Sequence, residues 1–423
     1  MPDIKSVTLA NGLKLITIRK ESQIMAINLG FRTGSMKDPM GKKGLSHFLE
    51  HMLFTGTTNR CHTQLNADFE FLGGDVNAFT DLTQIIFSVS ALTDEMEPAL
   101  DLLSDIIQNT VFIQTETERE KQVILSEYKE GLEDLETAAF DLLYEKAWPQ
   151  EPLKFDVIGD LHTIESLTQE DLIAHKDRFL TPANAVLTIA SRLDHEAVVE
   201  LAQAYFSQWT GAKPTQDVIL DSTNTPGFWE TETDNSDMAT ICLVYSFPDL
   251  PDVDKTALKV LNRRLGDSDN SLLFREIRLK RGLSYDIYSN LDLTPHVKTL
   301  EIYCATDPEN VSKVLEIIEE ITESIKNGSI GFTSNDLELT LKMHRTNIAA
   351  LMDDTHGLCG YVTANALDEL PLLNYEKELV EMEQVTVADL QRLAQRVFVE
   401  PSISVMLPKA DAMEESEEDE DLD

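Results

Sequence analysis

The sequence predicts an α+β fold with two similar domains, each a mainly antiparallel sheet packed with helices. The chain has 423 residues, which is longer than a single hydrophobic core usually supports. Strand-like runs such as QIIFSVSAL and KTLEIYCAT stand beside other strand patterns without a helix between each pair. Such neighbours are typical of antiparallel sheets. A third observation, an internal repeat, favours a duplicated domain.

The repeat relates residues 165–190 to residues 383–408. At a constant offset of 218 positions the two segments share five residue types: Glu165 and Glu383, Thr168 and Thr386, Asp171 and Asp389, Leu172 and Leu390, Arg178 and Arg396. Each segment shows a Thr N-cap, a helix, a break and then an apolar strand. A repeat at half the chain length indicates two domains rather than a solenoid.

The domain division follows from the repeat and from a polar run that contains Pro214, Pro226 and Gly227. We place an N-terminal domain at residues 1–212, a linker at 213–228 and a C-terminal domain at 229–410. Residues 411–423 are predicted to form a disordered acidic tail, because eight of the last ten residues are acidic.

The net charge and the apolar content limit which partners and which cellular locations are expected. The net charge of −40 makes nucleic acid and anionic membranes poor partners. We favour solubility as its role over the alternative, a wall that attracts basic peptides. No stretch approaches the roughly 20 apolar residues of a membrane span. The N-terminus starts as an alternating strand and resembles neither a secretory nor a transit peptide. A cytoplasmic location is therefore expected, or a periplasmic or organellar one if a leader was removed.

The four cysteines suggest no metal site. Cys61, Cys242, Cys304 and Cys359 are scattered and form no CxxC pair. We interpret them as ordinary thiols.

The segment HFLEH contains the strongest candidate for chemistry. On a helix, His47 and His51 project from one face and can share one ion, and Glu50 lies beside them. This order is the inverse of HExxH and is typical of inverzincins. The alternative is an accidental pair on an amphipathic helix. A catalytic zinc usually has three protein ligands, so a further His, Asp or Glu is required.

An acid-rich helix, TETEREKQVILSEYKEGLED, offers that further ligand. Glu127 follows the apolar turn VIL, which predicts a more buried face than that of its neighbours. Glu120 lies seven residues earlier and therefore on the same face. The alternative interpretation of this helix is a solvated charged surface.

The segment GSMKDPMGKKGLSHFLEHMLFTGT resembles the zinc-site signature of the pitrilysin/insulinase peptidases, which include mitochondrial processing peptidase. In that family the third ligand is a Glu in a VIxxE context, which the resemblance assigns to Glu127 in VILSE. The family's additional acidic residue matches Glu120. GGDVNAFTDLTQIIFSV is similar to the family's edge strand, whose Asn-Ala pair contacts substrate backbone and matches Asn77 and Ala78.

The resemblance continues in the second half of the chain. SLLFREIRLKRGLSYDIYS is similar to the segment that supplies an Arg and a Tyr seven residues apart, here Arg278 and Tyr285. Arg275 and Arg281 are competing candidates, and the spacing favours Arg278. The alternative is a basic helix face with a packed Tyr. LGDSDNSLLF departs from the run of glycines that relatives often have.

The resemblance implies a zinc-dependent endopeptidase with two domains that close around a chamber. It implies one Zn²⁺ per chain, held by His47, His51 and Glu127, with Glu50 as general base. Its remaining assignments are catalytic support from Glu120, Arg278 and Tyr285, and peptide binding by Asn77 and Ala78. The expected partners are peptide substrates and a second subunit, in a homodimer or in a heterodimer with a related chain.

Two rival functions come from other classes of protein. One is a non-catalytic or regulatory partner subunit of a heterodimeric peptidase of the same family, although the complete set of His47, Glu50, His51 and Glu127 speaks against it. The other is a small-molecule lyase with an HxxEH metal site. Such lyases are short single domains with a catalytic cysteine, and Cys61 has no evident role here.

Overall fold

Two β-sheets with helices on their faces organise the chain. The computed structural model describes residues 2–214 and 220–409. The contacts divide them into two units. The first unit consists of residues 2–128, 155–214 and 346–375. The second unit consists of residues 129–154, 220–345 and 376–409. The predicted α+β class with mainly antiparallel sheets is confirmed.

The sheet of the first unit has six strands in the order β1-β2-β6-β3-β5-β4. They are β1 (Asp3–Thr8), β2 (Lys14–Arg19), β3 (Ile24–Phe31), β4 (Asp75–Thr80), β5 (Ile85–Leu92) and β6 (Ala185–Ser191). Only the β2–β6 pair is parallel. Strands β3 and β6 are buried almost throughout because their apolar runs cover both faces. Strand β4 lies at the edge and alternates between exposed and partly buried residues.

The sheet of the second unit has five strands in the order β7-β11-β8-β10-β9. They are β7 (Gly227–Thr233), β8 (Ala239–Ser246), β9 (Ser284–Leu293), β10 (Lys298–Thr306) and β11 (Ser402–Pro408). Here only the β7–β11 pair is parallel. Strand β8 lies between β11 and β10, as β3 lies between β6 and β5. The two sheets therefore repeat one topology.

Fourteen helices are assigned within the described residues. Those of the first half are α1 (Leu45–Leu53), α2 (His62–Phe71), α3 (Met96–Gln108), α4 (Gln114–Glu133), α5 (Leu135–Ala147), α6 (Leu161–Ser166), α7 (Gln169–Phe179) and α8 (His195–Phe206). Those of the second half are α9 (Asp252–Leu265), α10 (Val311–Lys326), α11 (Ser334–Asp353), α12 (Thr355–Leu367), α13 (Asn374–Gln384) and α14 (Val387–Val397). None of them is long and apolar enough to cross a membrane.

The repeat predicted from the sequence is confirmed by its caps. Thr168 accepts a hydrogen bond from the backbone of Asp171 at the start of α7, and the Asp171 side chain bonds back to the cap. Thr386 and Asp389 form the same capping box at the start of α14. Each helix is followed by an interior strand of its sheet, β6 or β11. The five matched residue types thus mark equivalent elements.

Each unit receives a helix from the other half of the sequence. Helix α12 covers the first sheet, where Leu358 and Val362 belong to a buried cluster with Ile16 and Ile86. Helix α5 covers the second sheet, where Leu143 belongs to a buried cluster with Val244 and other residues. Helices α5 and α12 each have 13 residues and follow 20-residue helices, α4 and α11. The exchange is therefore reciprocal.

This exchange corrects the predicted domain division. Residues 129–154 pack in the second unit and residues 346–375 in the first, so the chain is not divided once at residues 213–228. Pro and Gly mark where a chain turns, but they do not reveal which sheet a later helix will cover. Part of the predicted linker, residues 215–219, and the predicted acidic tail lie outside the described residues.

Candidate metal centre

Helix α1 presents His47, Glu50 and His51 away from the residues that it packs into the core. Leu45, Phe48 and Met52 are buried in the core of the first unit. The helix begins after Gly44, which has φ +86°, and a Cβ there would lie 2.2 Å from the carbonyl oxygen of Ile158. Only glycine fits that approach without a shift of the backbone.

The two histidines and Glu127 converge, as the sequence predicted. The imidazole ring centroids of His47 and His51 are 4.6 Å apart. Glu127 Oε1 lies 3.8 Å from His47 Nε2, and Glu127 Oε2 lies 3.6 Å from His51 Nε2. One donor atom from each residue falls within a common span of 4.8 Å.

This donor set fits a zinc ion. Ligand atoms about 2.1 Å from one Zn²⁺ are at most about 4.2 Å apart. Each imidazole nitrogen lies within that limit of one Glu127 oxygen, and the 4.8 Å common span needs to shorten by only about 0.6 Å. Two nitrogens with one carboxylate oxygen form a common catalytic donor set. Burial and the neighbouring His51 lower the pKa of His47 to about 4. His47 is therefore neutral at neutral pH, as a ligand must be.

The two acids of α4 that lie near the imidazoles, Glu120 and Glu127, have different surroundings. The Glu127 side chain is 49% exposed, whereas that of Glu120 is 14% exposed. The prediction that Glu127 is more buried than its neighbours is therefore wrong: Ile124 and Leu125 enter the core, whereas Glu127 lies on an exposed side of the same continuous helix. Glu120 Oε2 lies 3.6 Å from His51 Nδ1, the ring nitrogen opposite the one facing Glu127. That placement suits a residue that orients a histidine ligand.

Glu50 lies beside the donor set and is largely buried. Thr80 of the edge strand β4 donates a hydrogen bond to Glu50 Oε2 at 2.6 Å. Burial raises the pKa of Glu50; the Thr80 bond and His51 oppose that shift, and Glu127 adds to it. A carboxylate with a raised pKa next to a metal site suits proton transfer near neutral pH. No sequence pattern indicated the role of Thr80.

A buried network under the start of α1 was also missed. Asp38 accepts hydrogen bonds from the backbone of Gly44 and Ser46 and from the Ser46 hydroxyl, at 3.0, 2.9 and 2.6 Å. His175 Nε2 lies 3.0 Å from the same hydroxyl. Burial raises the pKa of Asp38 to about 7, against the bonds from Ser46 and the charge of Lys43. The network fixes the first turn of the helix that carries the donors.

Asn77 and Ala78 lie on β4, at the edge of the first sheet. They pair with Ser88 and Phe87 of β5, and the Asn77 side chain accepts a bond from the backbone of Ala78 at 2.9 Å. The other edge of β4 has no strand neighbour among the described residues. Because Thr80 of this strand contacts Glu50, the edge passes directly beside the donor site.

The predicted Arg and Tyr form a pair in the second unit. Arg278 lies on a π-helix, Phe274–Leu279, and its guanidinium carbon is 4.7 Å from the ring centroids of both Phe274 and Tyr285. Tyr285 is 78% exposed. Arg281 instead bonds Glu276, and the choice of Arg278 stays a prediction. The stacking on Phe274 was not predicted.

A duplicated α+β sheet with an HxxEH helix facing a third acidic residue is typical of metallopeptidase families with the inverted zinc motif. Residues 14–161 match the family model described as insulinase (peptidase family M16), and residues 166–343 match the model described as peptidase M16 inactive domain. The chain belongs to the insulinase family of peptidases, as its sequence suggested.

Individual relatives agree with this membership. An uncharacterized zinc protease of Rickettsia felis is 29% identical over 320 residues, 74% of this chain and 76% of the relative. The beta subunit of the mitochondrial-processing peptidase of Neurospora crassa is 31% identical over 225 residues, 53% of this chain and 47% of the relative. The crystal structure of a protease from Helicobacter pylori has a TM-score of 0.89 at 19% identity and covers 97% of this chain and 100% of its own. The last match shows the fold alone.

Proposed function

We propose that this protein is a zinc-dependent endopeptidase with one Zn²⁺ per chain. The observation that supports the proposal most directly is the convergence of His47, His51 and Glu127 beside a buried Glu50. Zn²⁺ held by these three donors would supply Lewis acidity, activating water and polarising the scissile carbonyl. Relatives named as zinc proteases support the choice of metal.

Within this proposal Glu50 moves the proton. Its raised pKa allows it to accept a proton from the attacking water and return it to the leaving amine. The bond from Thr80 fixes one carboxylate oxygen and leaves the other for this transfer. Glu120 holds His51 from the side opposite Glu127.

The proposed substrates are peptides and unfolded segments. The edge of β4 at Asn77 and Ala78 would bind an extended peptide as an added strand through main-chain hydrogen bonds. Recognition of that kind requires an extended chain, so folded proteins would be excluded, and the sequence preference would be broad. Arg278 and Tyr285 would stabilise the developing oxyanion, with the two units closing around the peptide as the family resemblance implies.

Metal analysis combined with a peptide-library digest tests the proposal. We expect about one zinc per chain, loss of cleavage on chelation and recovery when zinc is returned. Mass spectrometry should show products of internal cleavage. Full activity in a sample verified to be metal-free would refute the proposal. Cleavage of thioethers without cleavage of peptides would favour the lyase alternative instead.

A non-catalytic subunit is the second candidate. It is favoured by the match of residues 166–343 to a model described as inactive. That role predicts a chain that binds zinc but cleaves only when a related subunit is added. Sedimentation velocity of the chain, alone and with such a subunit, tests the further proposal that it works as a homodimer or heterodimer.

A further inference from the structure

A pocket in the second unit occupies the place that the metal centre has in the first. It lies between α9 and α11, next to the loop that connects α9 to the π-helix, and it has a volume of about 250 Å³. Helix α9 follows β8 as α1 follows β3, and α11 precedes α12 as α4 precedes α5. The pocket is therefore the duplicated counterpart of the α1–α4 cleft.

The metal donors have no counterparts in this pocket. Helices α4 and α11 have equal lengths and start 220 residues apart, so Glu120 corresponds to Thr340 and Glu127 to Asn347. Helix α9 has no histidine and contributes Arg263 and Arg264 to the lining. The first cleft therefore offers ligands for a cation, whereas the pocket in the second unit offers hydrogen-bond donors for an anion.

The two guanidinium groups are poorly satisfied within the described chain. Arg263 contacts Asp267 at 3.2 Å and the Met343 sulfur at 3.3 Å. Arg264 contacts the carbonyl oxygen of Asn270 at 3.3 Å and lies 3.6 Å from Asp336. The Nε atom of each is buried and has no hydrogen-bond partner among the described residues. Each planar fork has five donors, and these few contacts leave the buried Nε of each unpaired within the described chain, although buried polar groups are normally bonded.

The rest of the lining limits the charge and shape of a ligand. Val260, Phe332 and Met343 form an apolar wall. Asp336 already accepts bonds from the backbone and hydroxyl of Thr333 at 2.8 and 2.7 Å, and Asp269 is exposed. With two aspartates in the lining, a dianion such as phosphate is disfavoured. A planar monoanion matches the guanidinium fork, and an attached apolar group matches the wall.

We propose that this pocket, the Arg263/Arg264 pocket, binds the α-carboxylate and apolar last side chain of a short peptide or of a free amino acid. The volume fits one residue rather than a long segment. The inference does not depend on peptidase activity, because binding is measured directly.

An NMR titration of the full chain tests the ligand chemistry. N-acetyl-L-leucine should bind with a Kd on the order of 1 mM, as expected for so few atoms. N-acetyl-L-leucinamide, which lacks the carboxylate, should bind at least ten-fold more weakly. Equal binding of acid and amide, or tighter binding of inorganic phosphate, would overturn the assignment. Comparison with free leucine and with an acetylated dipeptide ending in leucine distinguishes an amino acid from a peptide end.

Variants locate the binding. Arg264→Gln and Arg263→Gln should each weaken the binding of N-acetyl-L-leucine at least ten-fold. Arg264→Lys should also weaken its binding, because the point charge of an ammonium group cannot replace the planar guanidinium fork. Arg345→Gln is the matched control: it removes an arginine of α11 that pairs with Glu383 on the surface. Unchanged binding in the pocket variants would overturn the proposal. That result would also be seen if the carboxylate bound at the metal centre instead of in the pocket. If a Gln variant failed to fold, the binding measured for Arg264→Lys and the comparison of N-acetyl-L-leucine with its amide would still test the proposal.

Discussion

The α1–α4 cleft and the Arg263/Arg264 pocket occupy equivalent places in the two halves, yet they carry opposite chemistry. In the first half, two imidazoles and a carboxylate converge within 4.8 Å. In the second half, two arginines line a cavity with an apolar wall. The backbone frame is shared, whereas the side chains at equivalent helix positions are not. Duplication therefore preserved a cleft, and its function depends on a few substitutions within it.

The faces covered by the exchanged helices differ in a similar way. Beneath α12 the first sheet presents an apolar cluster that includes Ile16, Ile18 and Ile86. Beneath α5 the second sheet presents Glu301, which accepts a hydrogen bond from Tyr144 at 2.7 Å. Burial raises the pKa of Glu301 to about 7. The first face contacts α12 through packing and through the Cys359 thiol, which donates to backbone oxygens of the sheet, whereas the second face adds a buried carboxyl group.

The largest expected effect is at Glu50. Glu50→Gln should keep zinc and fold, while kcat falls by roughly 10²–10⁴, because an amide cannot carry the proton. Glu130→Gln on α4, an exposed acid outside the donor set, is the matched control and should be near wild type. Zinc analysis with peptide kinetics gives the result. Loss of zinc from Glu50→Gln would instead indicate that Glu50 is a zinc ligand.

Tyr285 tests whether the second half contributes to the first half's chemistry. Tyr285→Phe keeps the ring beside Arg278 and removes only the hydroxyl. We expect kcat to fall by roughly 10²–10³ with KM nearly unchanged, since one oxyanion donor is worth about 2.7–4 kcal/mol. Tyr288→Phe on the same strand is the control. Equal kcat in Tyr285→Phe and wild type would confine catalysis to the first half.

Glu127 and Glu120 of α4 should have different roles, Glu127 as a metal ligand and Glu120 as a residue that orients His51. Glu127→Gln should weaken zinc binding strongly, because it removes one of three donors. Glu120→Gln should retain zinc under assay conditions and lower activity by roughly 10–100-fold, because it releases His51. Zinc competition with a chromophoric chelator measures both affinities. The reverse order of affinities would exchange the two roles.

The smallest effect is a pH dependence of stability from Glu301. Because the folded pKa of about 7 exceeds that of an unfolded Glu, the folded state binds more protons between these values. Stability from this group is therefore present at low pH and is lost as pH rises to 7, by at most about 3 kcal/mol. Glu301→Gln should match wild type in calorimetry near pH 4 and exceed it at pH 8. The exposed Glu338→Gln is the control, and a constant difference across pH would contradict the prediction.

The sequence by itself determined the class of fold, the repeat and the part of the candidate metal centre that lies on α1. His47, Glu50 and His51 lie within one short helix, so helical periodicity alone brings them together. The Thr386–Asp389 box and its earlier counterpart are likewise local patterns. The assignments of Glu127, Arg278 and Tyr285 required the family resemblance, because no local period connects them to α1.

Only the tertiary structure decided the features that depend on contacts between residues far apart in the chain. The exchange of α5 and α12 cannot be predicted from the sequence, because the apolar residues of each helix could pack on either sheet. A fragment ending at residue 211 would lose α12 and expose the apolar face beneath it. Thr80 beside Glu50 and Asp38 under α1 contact their partners across 30 and 8 residues, through side chains whose direction only packing fixes. The Arg263/Arg264 pocket likewise exists only because the fold sets α9 against α11.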